Sequence, residues 1–328
     1  MSFNESLGLA LLNRKALFER LHEEGTTAYR LFHGISEGRP GLAIDRYGST
    51  VLIQTFREPL DADELGAIEA RLRADLKFEF SLAYHPRGEK PAALRTPDPG
   101  ETLCQEFGLK FLFRAHHSGM DPWLFLDLRA GRRFLRQKVA GKTVLNLFSY
   151  TCSIGLTAAA ARASEVLNVD FSKTNLEIGR KNAQLNSVPE TIFHTLEEDC
   201  LPVMRQLAGL EAGGRKNKRL KYKKLNRRQF DCVILDPPAW SKGSFGAVDV
   251  EGDYPSLFKP AVLATKPGGW VMATHHVPTV DFDSWVETLK KCAAKAGRPI
   301  QSVQRISPEE DFPSFDGNPP LKIAVCEV

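Results

Sequence analysis

Between Leu7 and Leu21 the apolar positions recur at helical spacing, with Asn4 or Ser6 as N-cap, and predict one amphipathic helix set apart as an appendage. From Ala28 the period shortens. YRLF, GLAIDRYG and VLIQTF predict strands, DADELGAIEARLRADL a helix and FEFSLAYH a further strand, together a small α/β domain of EEHEE type. The Pro- and Gly-rich run from His85 to Gly100 predicts a loop, and ETLCQEFGLKFLFRA a hairpin turning near Phe107 and Gly108. A helix is expected from Pro122 to Lys138.

From Thr143 strands and helices alternate. TVLNLF, SEVLNVD and FDCVILD are short apolar runs of the buried parallel kind, separated by helices that begin near Ile154 and Lys173. GGWVMAT and a terminal pair, Ile300 to Ile306 and Leu321 to Val328, add further strands. The expected fold class is therefore α/β, a Rossmann-like doubly wound sheet preceded by the smaller domain. The expected division is 1–26 for the N-terminal helix, 27–118 for the small domain and 119–328 for the sheet domain.

Composition narrows the class. With 328 residues, 42% hydrophobic and 26% charged, the chain has the make-up of a soluble globular protein. It shows neither the basic-then-apolar order of a signal peptide nor an apolar run of about 18 residues, so a cytoplasmic location is expected. Six cysteines without a CxxC pair argue for reduced core thiols and against a zinc site or a disulfide framework, and no metal is expected. The net charge is +4, yet Gly213 to Arg228 alone holds nine cations and no acid, so removing them leaves −5. That segment (Arg215, Lys216, Lys218, Arg219, Lys221, Lys223, Lys224, Arg227 and Arg228) cannot bury a core and reads as an open loop suited to gripping RNA phosphates.

The chemistry gathers at the carboxyl ends of the expected strands, where open α/β sheets bind ligands. The turn SYTCSIG carries one glycine, Gly155, where a dinucleotide turn carries three, so a diphosphate fits it poorly. Asp170, twenty residues after Tyr150, stands where a carboxylate accepts bonds from ribose hydroxyls. A ribose without a diphosphate suggests S-adenosylmethionine (SAM); a plain turn and a helix-capping Asp is the alternative. In EEDC, Asp199 and the Cys200 backbone N–H are candidates for the adenine edge, and Asp199 is equally a helix N-cap. The sharpest signal is FDCVILDPPAW. Its prolines fix the backbone so that Asp236 and the Pro237 carbonyl accept bonds from a planar base, with Trp240 placed to stack on it. The alternative is a strand-ending turn with a core Trp.

These stretches resemble the class I SAM-dependent 23S ribosomal RNA methyltransferases of the RlmI and RlmK type. VLNLFSYTCSIG, NVDFS, the helix ending in NAQLN and VILDPPAWSKG are similar to that family's NxFSYTG, VDxS, N-and-LN helix end and DPPxF. YRLFHGISEGRPGLAIDRYG and FLDLRAGRR resemble its upstream segments, so the likeness covers nearly everything from Ala28 to Val328. It implies that Phe148, Ser149, Tyr150 and Thr151 line the methionine side of SAM, that Asp170 and Phe171 hold the ribose and flank the adenine, and that Asp199 and Cys200 address the adenine edge. It further implies that Asp236, Pro237 and Trp240 face the target base, while Asp127, Arg129 and Arg133 close the site, Arg129 on the cofactor side.

Three departures bear on the reaction. Cys152 stands where the family usually has Gly, residues 1–26 are expected to be a helix before the central domain where the cytosine-C5 branch usually has an RNA-binding PUA domain, and ATHHV (Ala273 to Val277) stands where that branch carries Ser-Cys-Ser. Methylation at C5 of a pyrimidine needs a thiolate adduct at C6, which Thr274, His275 and His276 cannot supply. A base nitrogen needs no adduct, so methylation of a guanine nitrogen in ribosomal RNA is favoured. Cys326 is the one distant candidate thiolate, and His275 or His276 a candidate proton acceptor. The alternatives are a cytosine-C5 rRNA methyltransferase and a non-catalytic protein that binds SAM and RNA; a nicotinamide enzyme is disfavoured by the missing glycines.

Overall fold

The computed structural model describes residues 3–87, 96–117, 121–212, 222–243 and 246–328, with the backbone alone at 241–243 and 246–248. The chain forms two compact units, Met1–Asp127 with Glu309–Phe315 and Leu128–Pro308 with Asp316–Val328. From sequence the second region runs unbroken to Val328.

The first unit opens with two helices where one is expected, α1 (Phe3–Asn13) and α2 (Lys15–Glu23). A single helix would turn position 14 inward beside Leu7 and Leu11, and that position is Arg. The break lets the buried Arg14 guanidinium reach the Ala10 carbonyl (3.1 Å), Glu37 (2.5 Å) and the Asp311 carbonyl (3.2 Å). Nor are these helices an appendage. Leu7, Leu11, Leu17 and Leu21 share one apolar cluster with Ile44, Ile53 and Ile68.

Strands β1 (Ala28–His33), β2 (Leu42–Tyr47) and β3 (Thr50–Thr55) pair antiparallel. Helix α3 (Ala62–Asp75), started by a reciprocal capping box of Asp61 and Glu64, carries the chain to β4 (Ser81–Pro86), parallel to β3. The hairpin β5 (Glu101–Glu106) and β6 (Leu109–Arg114) turns at Phe107 and Gly108, whose φ values of 56° and 77° are those a two-residue hairpin turn demands. Residues 309–315 also belong here. The buried Asp311 carboxylate accepts the Arg30 N–H (2.9 Å), and the Arg30 guanidinium lies 4.5 Å from the centre of the Phe312 ring.

The helix expected from Pro122 begins only at Arg129. Before it the chain runs through bends and a turn in which Leu124, Leu126 and Leu128 are buried while Phe125 is exposed, and the Tyr47 hydroxyl donates to the Leu124 carbonyl at 3.0 Å. Asp127 therefore precedes α4 (Arg129–Lys138) and is not on it.

In the second unit β7 (Thr143–Leu147), α5 (Ser153–Ala160), β8 (Glu165–Asp170), α6 (Lys173–Leu185), β9 (Phe193–Glu197), α7 (Cys200–Leu207) and β10 (Phe230–Leu235) follow in turn. A short hairpin follows, β11 (Trp240–Gly243) with β12 (Gly246–Asp249). Then come α8 (Val250–Leu263), β13 (Thr265–His275), α9 (Phe282–Lys295), β14 (Ser302–Ile306) and β15 (Lys322–Glu327). The seven-stranded sheet has the order β14-β15-β13-β10-β7-β8-β9, with β15 antiparallel to both neighbours and β13, β10, β7, β8 and β9 parallel. One buried cluster, including Leu145, Leu147, Val233, Leu235, Val271 and Phe258, covers one face of it. The strand order reverses between β7 and β10, so a crevice opens at their carboxyl ends.

Candidate active site

The turn after β7 holds three non-glycine residues in left-handed backbone, Phe148, Tyr150 and Cys152, at φ of 56°, 49° and 61°. Each such residue costs on the order of 1–3 kcal/mol and persists only where its surroundings hold it. Those surroundings are specific. The Ser149 N–H donates to the Val169 carbonyl (2.9 Å), the Phe148 N–H to Cys200 Sγ (3.1 Å) and the Tyr150 N–H to Asp170 Oδ2 (2.8 Å). Asp170 Oδ1 accepts the Ser172 N–H at 2.9 Å, so one carboxylate ties two turns together. Burial pushes the Asp170 carboxyl above its ordinary range, and the two N–H bonds pull against it.

Gly155 has another purpose than a phosphate. A Cβ there would stand 1.8 Å from Asn168 Oδ1. That buried amide accepts from Asn146 Nδ2 (2.9 Å) and donates to the His194 carbonyl (3.1 Å), stitching β7, β8 and β9 beneath the turn. Cys152 sits over another glycine, Gly179 of α6, and burial raises its thiol to about 12. The sequence signal for these parts is present, Asn inside two apolar strands, but it is visible only once the strands are paired.

Around this turn the structure gathers most of the expected residues. Phe171, 65% exposed, follows Asp170. Asp199 N-caps α7, its Oδ1 accepting the Leu201 N–H at 2.9 Å, and Cys200 is buried with Sγ spent on Phe148 and on the Val169 carbonyl. Arg129 and Arg132 at the start of α4 are fully buried, with Arg132 Nη1 3.4 Å from Ser153 Oγ at the head of α5. Arg132 is absent from the expected set; its place one helical turn after Arg129 is the signal.

At the end of β10 lies the second half of the crevice. Asp236 Oδ1 accepts the Thr274 hydroxyl (2.5 Å) and lies 2.8 Å from His276 Nε2. An ionised carboxylate only accepts, so Nε2 is the donor. Pro237 is buried, and Trp240, 63% exposed, opens β11. His275 points elsewhere. It is buried against Tyr254 (ring centres 5.5 Å apart, planes 15° apart) with Nδ1 facing the Val277 N–H, and burial lowers it to about 4. Cys326 is also away from the corner. It pairs with Val271, whereas Thr274 pairs with Ile323, and burial pushes its thiol to about 12. Neither His275 as proton acceptor nor Cys326 as thiolate agrees with these surroundings.

Of the basic segment, Arg215, Lys216, Lys218, Arg219 and Lys221 lie outside the described residues. The rest is strapped along α7, where the Gln206 side chain bonds the Lys223 carbonyl and the Leu225 N–H, both at 3.0 Å. Lys223, Lys224 and Arg227 are exposed, while Arg228 makes a two-pronged ion pair with Glu165 (2.8 and 2.5 Å).

The donor set suits a nucleoside without a diphosphate: carboxylates at the ends of β8 and β9, an exposed ring beside the first, and a turn whose one glycine is filled by Asn168. Comparison with known proteins agrees. The large-subunit ribosomal RNA methyltransferase I of Pseudoalteromonas atlantica is 26% identical over 99% of this chain and 80% of its own length. The methyltransferase K/L of the same organism is 26% identical over 92% of this chain and 41% of its own. The crystal structure of a methyltransferase complexed with SAH superposes with a TM-score of 0.80 at 22% identity, covering 99% of this chain and 81% of that one. The profile of the S-adenosylmethionine-dependent methyltransferases matches residues 29–326, and the chain belongs to that family, with SAM as its cofactor.

Proposed function

We propose that the enzyme methylates a base nitrogen, guanine first, in large-subunit ribosomal RNA. The observation that carries this reading is the corner at Asp236: a threonine hydroxyl from the end of β13 and the histidine just beyond it hydrogen-bond the carboxylate, and among the described residues no cysteine does. Nitrogen needs alignment and an acceptor for its N–H, not a covalent adduct. The relatives named for large-subunit rRNA support the substrate class.

Bound SAM supplies an electrophilic methyl group on a sulfonium. In this assignment Phe148, Ser149, Tyr150 and Thr151 cradle the methionine part and Arg129 meets its carboxylate. Asp170 takes the ribose hydroxyls, Phe171 flanks the adenine, and Asp199 with the Cys200 N–H reads its edge. Asp236 and the Pro237 carbonyl accept from the target base, and Trp240 stacks on it. Lys223, Lys224 and Arg227 hold phosphates. The first unit adds an apolar cavity of about 850 Å³ lined by Phe18, Tyr29 and Phe78 and edged by Lys15, Arg46 and Lys77, a surface suited to unpaired bases.

The test is to incubate the protein with methyl-labelled SAM and unmodified large-subunit RNA, digest to nucleosides and weigh the product. Methylguanosine is expected. A labelled 5-methylcytidine would replace this reading by the cytosine-C5 one, and SAM binding without any label would leave a non-catalytic binder.

A further inference from the structure

We infer that Thr274 and His276 are positioning residues for methyl transfer, pinning Asp236 Oδ1 so that Oδ2 is the oxygen presented to an N–H of the target base; this rests on the nitrogen-methylation reading. Both bonds fall on the same oxygen, from Thr274 Oγ1 at 2.5 Å and His276 Nε2 at 2.8 Å, and among the described residues none falls on Oδ2. The two donors are themselves 3.4 Å apart, so the three groups form a closed triangle.

A carboxylate turns about its last bond over a broad, two-fold torsion, and one contact does not fix it. Two donors converging on one oxygen do. If the bonds served only to satisfy a buried charge, spreading them over both oxygens would serve better, and Asp236, with 16% of its side chain exposed, has water within reach. The support behind the triangle is rigid. Thr274 is fully buried, and its carbonyl accepts the Tyr254 hydroxyl at 2.8 Å. Tyr254 is in turn held between His275, stacked at 5.5 Å, and Trp285, edge-on at 5.4 Å. His276 is the opposite case, with 32% of its side chain exposed at the mouth of the corner.

An oxygen fixed in this way selects a hydrogen-bond donor on the acceptor, such as an exocyclic amine or a ring N–H. The sequence ATHHV thereby gains a meaning of its own: alternate positions 274 and 276 point to one face of the strand end and meet Asp236, while 275 points to the other and joins the core.

The test measures kcat and KM for RNA methylation, with SAM binding by calorimetry, on His276→Ala, Thr274→Val, His276→Gln and Thr274→Ser. Gln keeps a donor near Nε2 and Ser keeps the hydroxyl. Charge-assisted bonds of this kind predict that the first two variants lose about 10- to 100-fold in kcat while SAM affinity and the KM for RNA stay within about twofold, and that the last two recover to within about threefold. Wild-type kcat in His276→Ala or Thr274→Val overturns the inference. So does a loss of rate that merely follows a loss of SAM binding, or a His276→Gln as slow as His276→Ala. A wild type that labels no base nitrogen removes the underlying reading and this inference with it, whereas an active wild type with indifferent variants removes the inference alone.

Discussion

Cys152 Sγ fills the space that a side chain on Gly179 would need: a Cβ there would stand 2.6 Å from the sulfur and 3.2 Å from the Thr151 carbonyl. The left-handed turn supplies the bulk at this contact, and α6 leaves room for it with a glycine.

Gly179→Ala should destabilise the protein by about 1–3 kcal/mol, because the methyl group overpacks a buried contact. In a Cys152→Gly background the same change should cost at least about 1 kcal/mol less, since Gly also suits the φ of 61° at position 152. A double-mutant cycle by denaturant unfolding measures the coupling, and additive effects would refute the contact.

Asp170→Asn should weaken SAM binding about tenfold or more while leaving the fold intact. The substitution puts an amide NH2 where the carboxylate now accepts N–H groups from Tyr150 and Ser172, and removes the charge offered to the ribose. Calorimetric titration with SAM decides it; unchanged affinity would take Asp170 out of the cofactor site.

His275 makes the protein acid-sensitive. Its folded pKa, lowered to about 4 by burial, lies below the unfolded value near 6.5, so between these limits the unfolded chain binds the proton and the folded one does not. The resulting stability is complete above about pH 6.5 and drains away as the pH falls toward 4. From pH 7 to 5 this one group should remove about 2 kcal/mol. His33, lowered to about 3 by burial and by Arg30 and Arg14, adds in the same direction. His275→Phe keeps a ring against Tyr254 and should lose about 2 kcal/mol less over that interval; an unaltered pH dependence would mean that His275 is protonated in the fold.

Lys223 and Lys224 should carry phosphate contacts that Arg228 does not. Replacing both lysines by Ala should lower the slope of log affinity against log salt by about 1.4, at about 0.7 per contact for single-stranded RNA. Arg228→Ala should leave the slope unchanged, because its guanidinium is committed to Glu165. Filter binding of large-subunit RNA fragments over a salt series compares the two, and equal slopes would dismiss the distinction.

Much of the sheet domain is legible from local pattern. The apolar runs ending at Leu147, Asp170 and Leu235 are strands, and SYTC, Asp170 and DPPAW lie at their ends as the motif likeness to methyltransferases implies. What escapes is set by partners far away in sequence. Arg14 breaks a helix where it reaches Glu37 and Asp311, and 122–128 runs through bends and a turn although its composition suits a helix. Asn146 and Asn168 look like blemishes in apolar strands until their pairing makes one amide the reason for Gly155. The roles of His275 and His276, adjacent in sequence and opposite in environment, follow from which side of β13 faces β10 and its Asp236.

The return of residues 309–315 to the first unit has a consequence in time. The Arg30 N–H waits for Asp311, 281 residues later, and Arg14 waits for the same residue's carbonyl. At about 5–20 residues per second a ribosome needs on the order of tens of seconds to make that stretch. The unit whose strands emerge first is thus among the last to be finished, and a nascent chain halted before Asp311 would hold a core already formed around bonds it has no means to close.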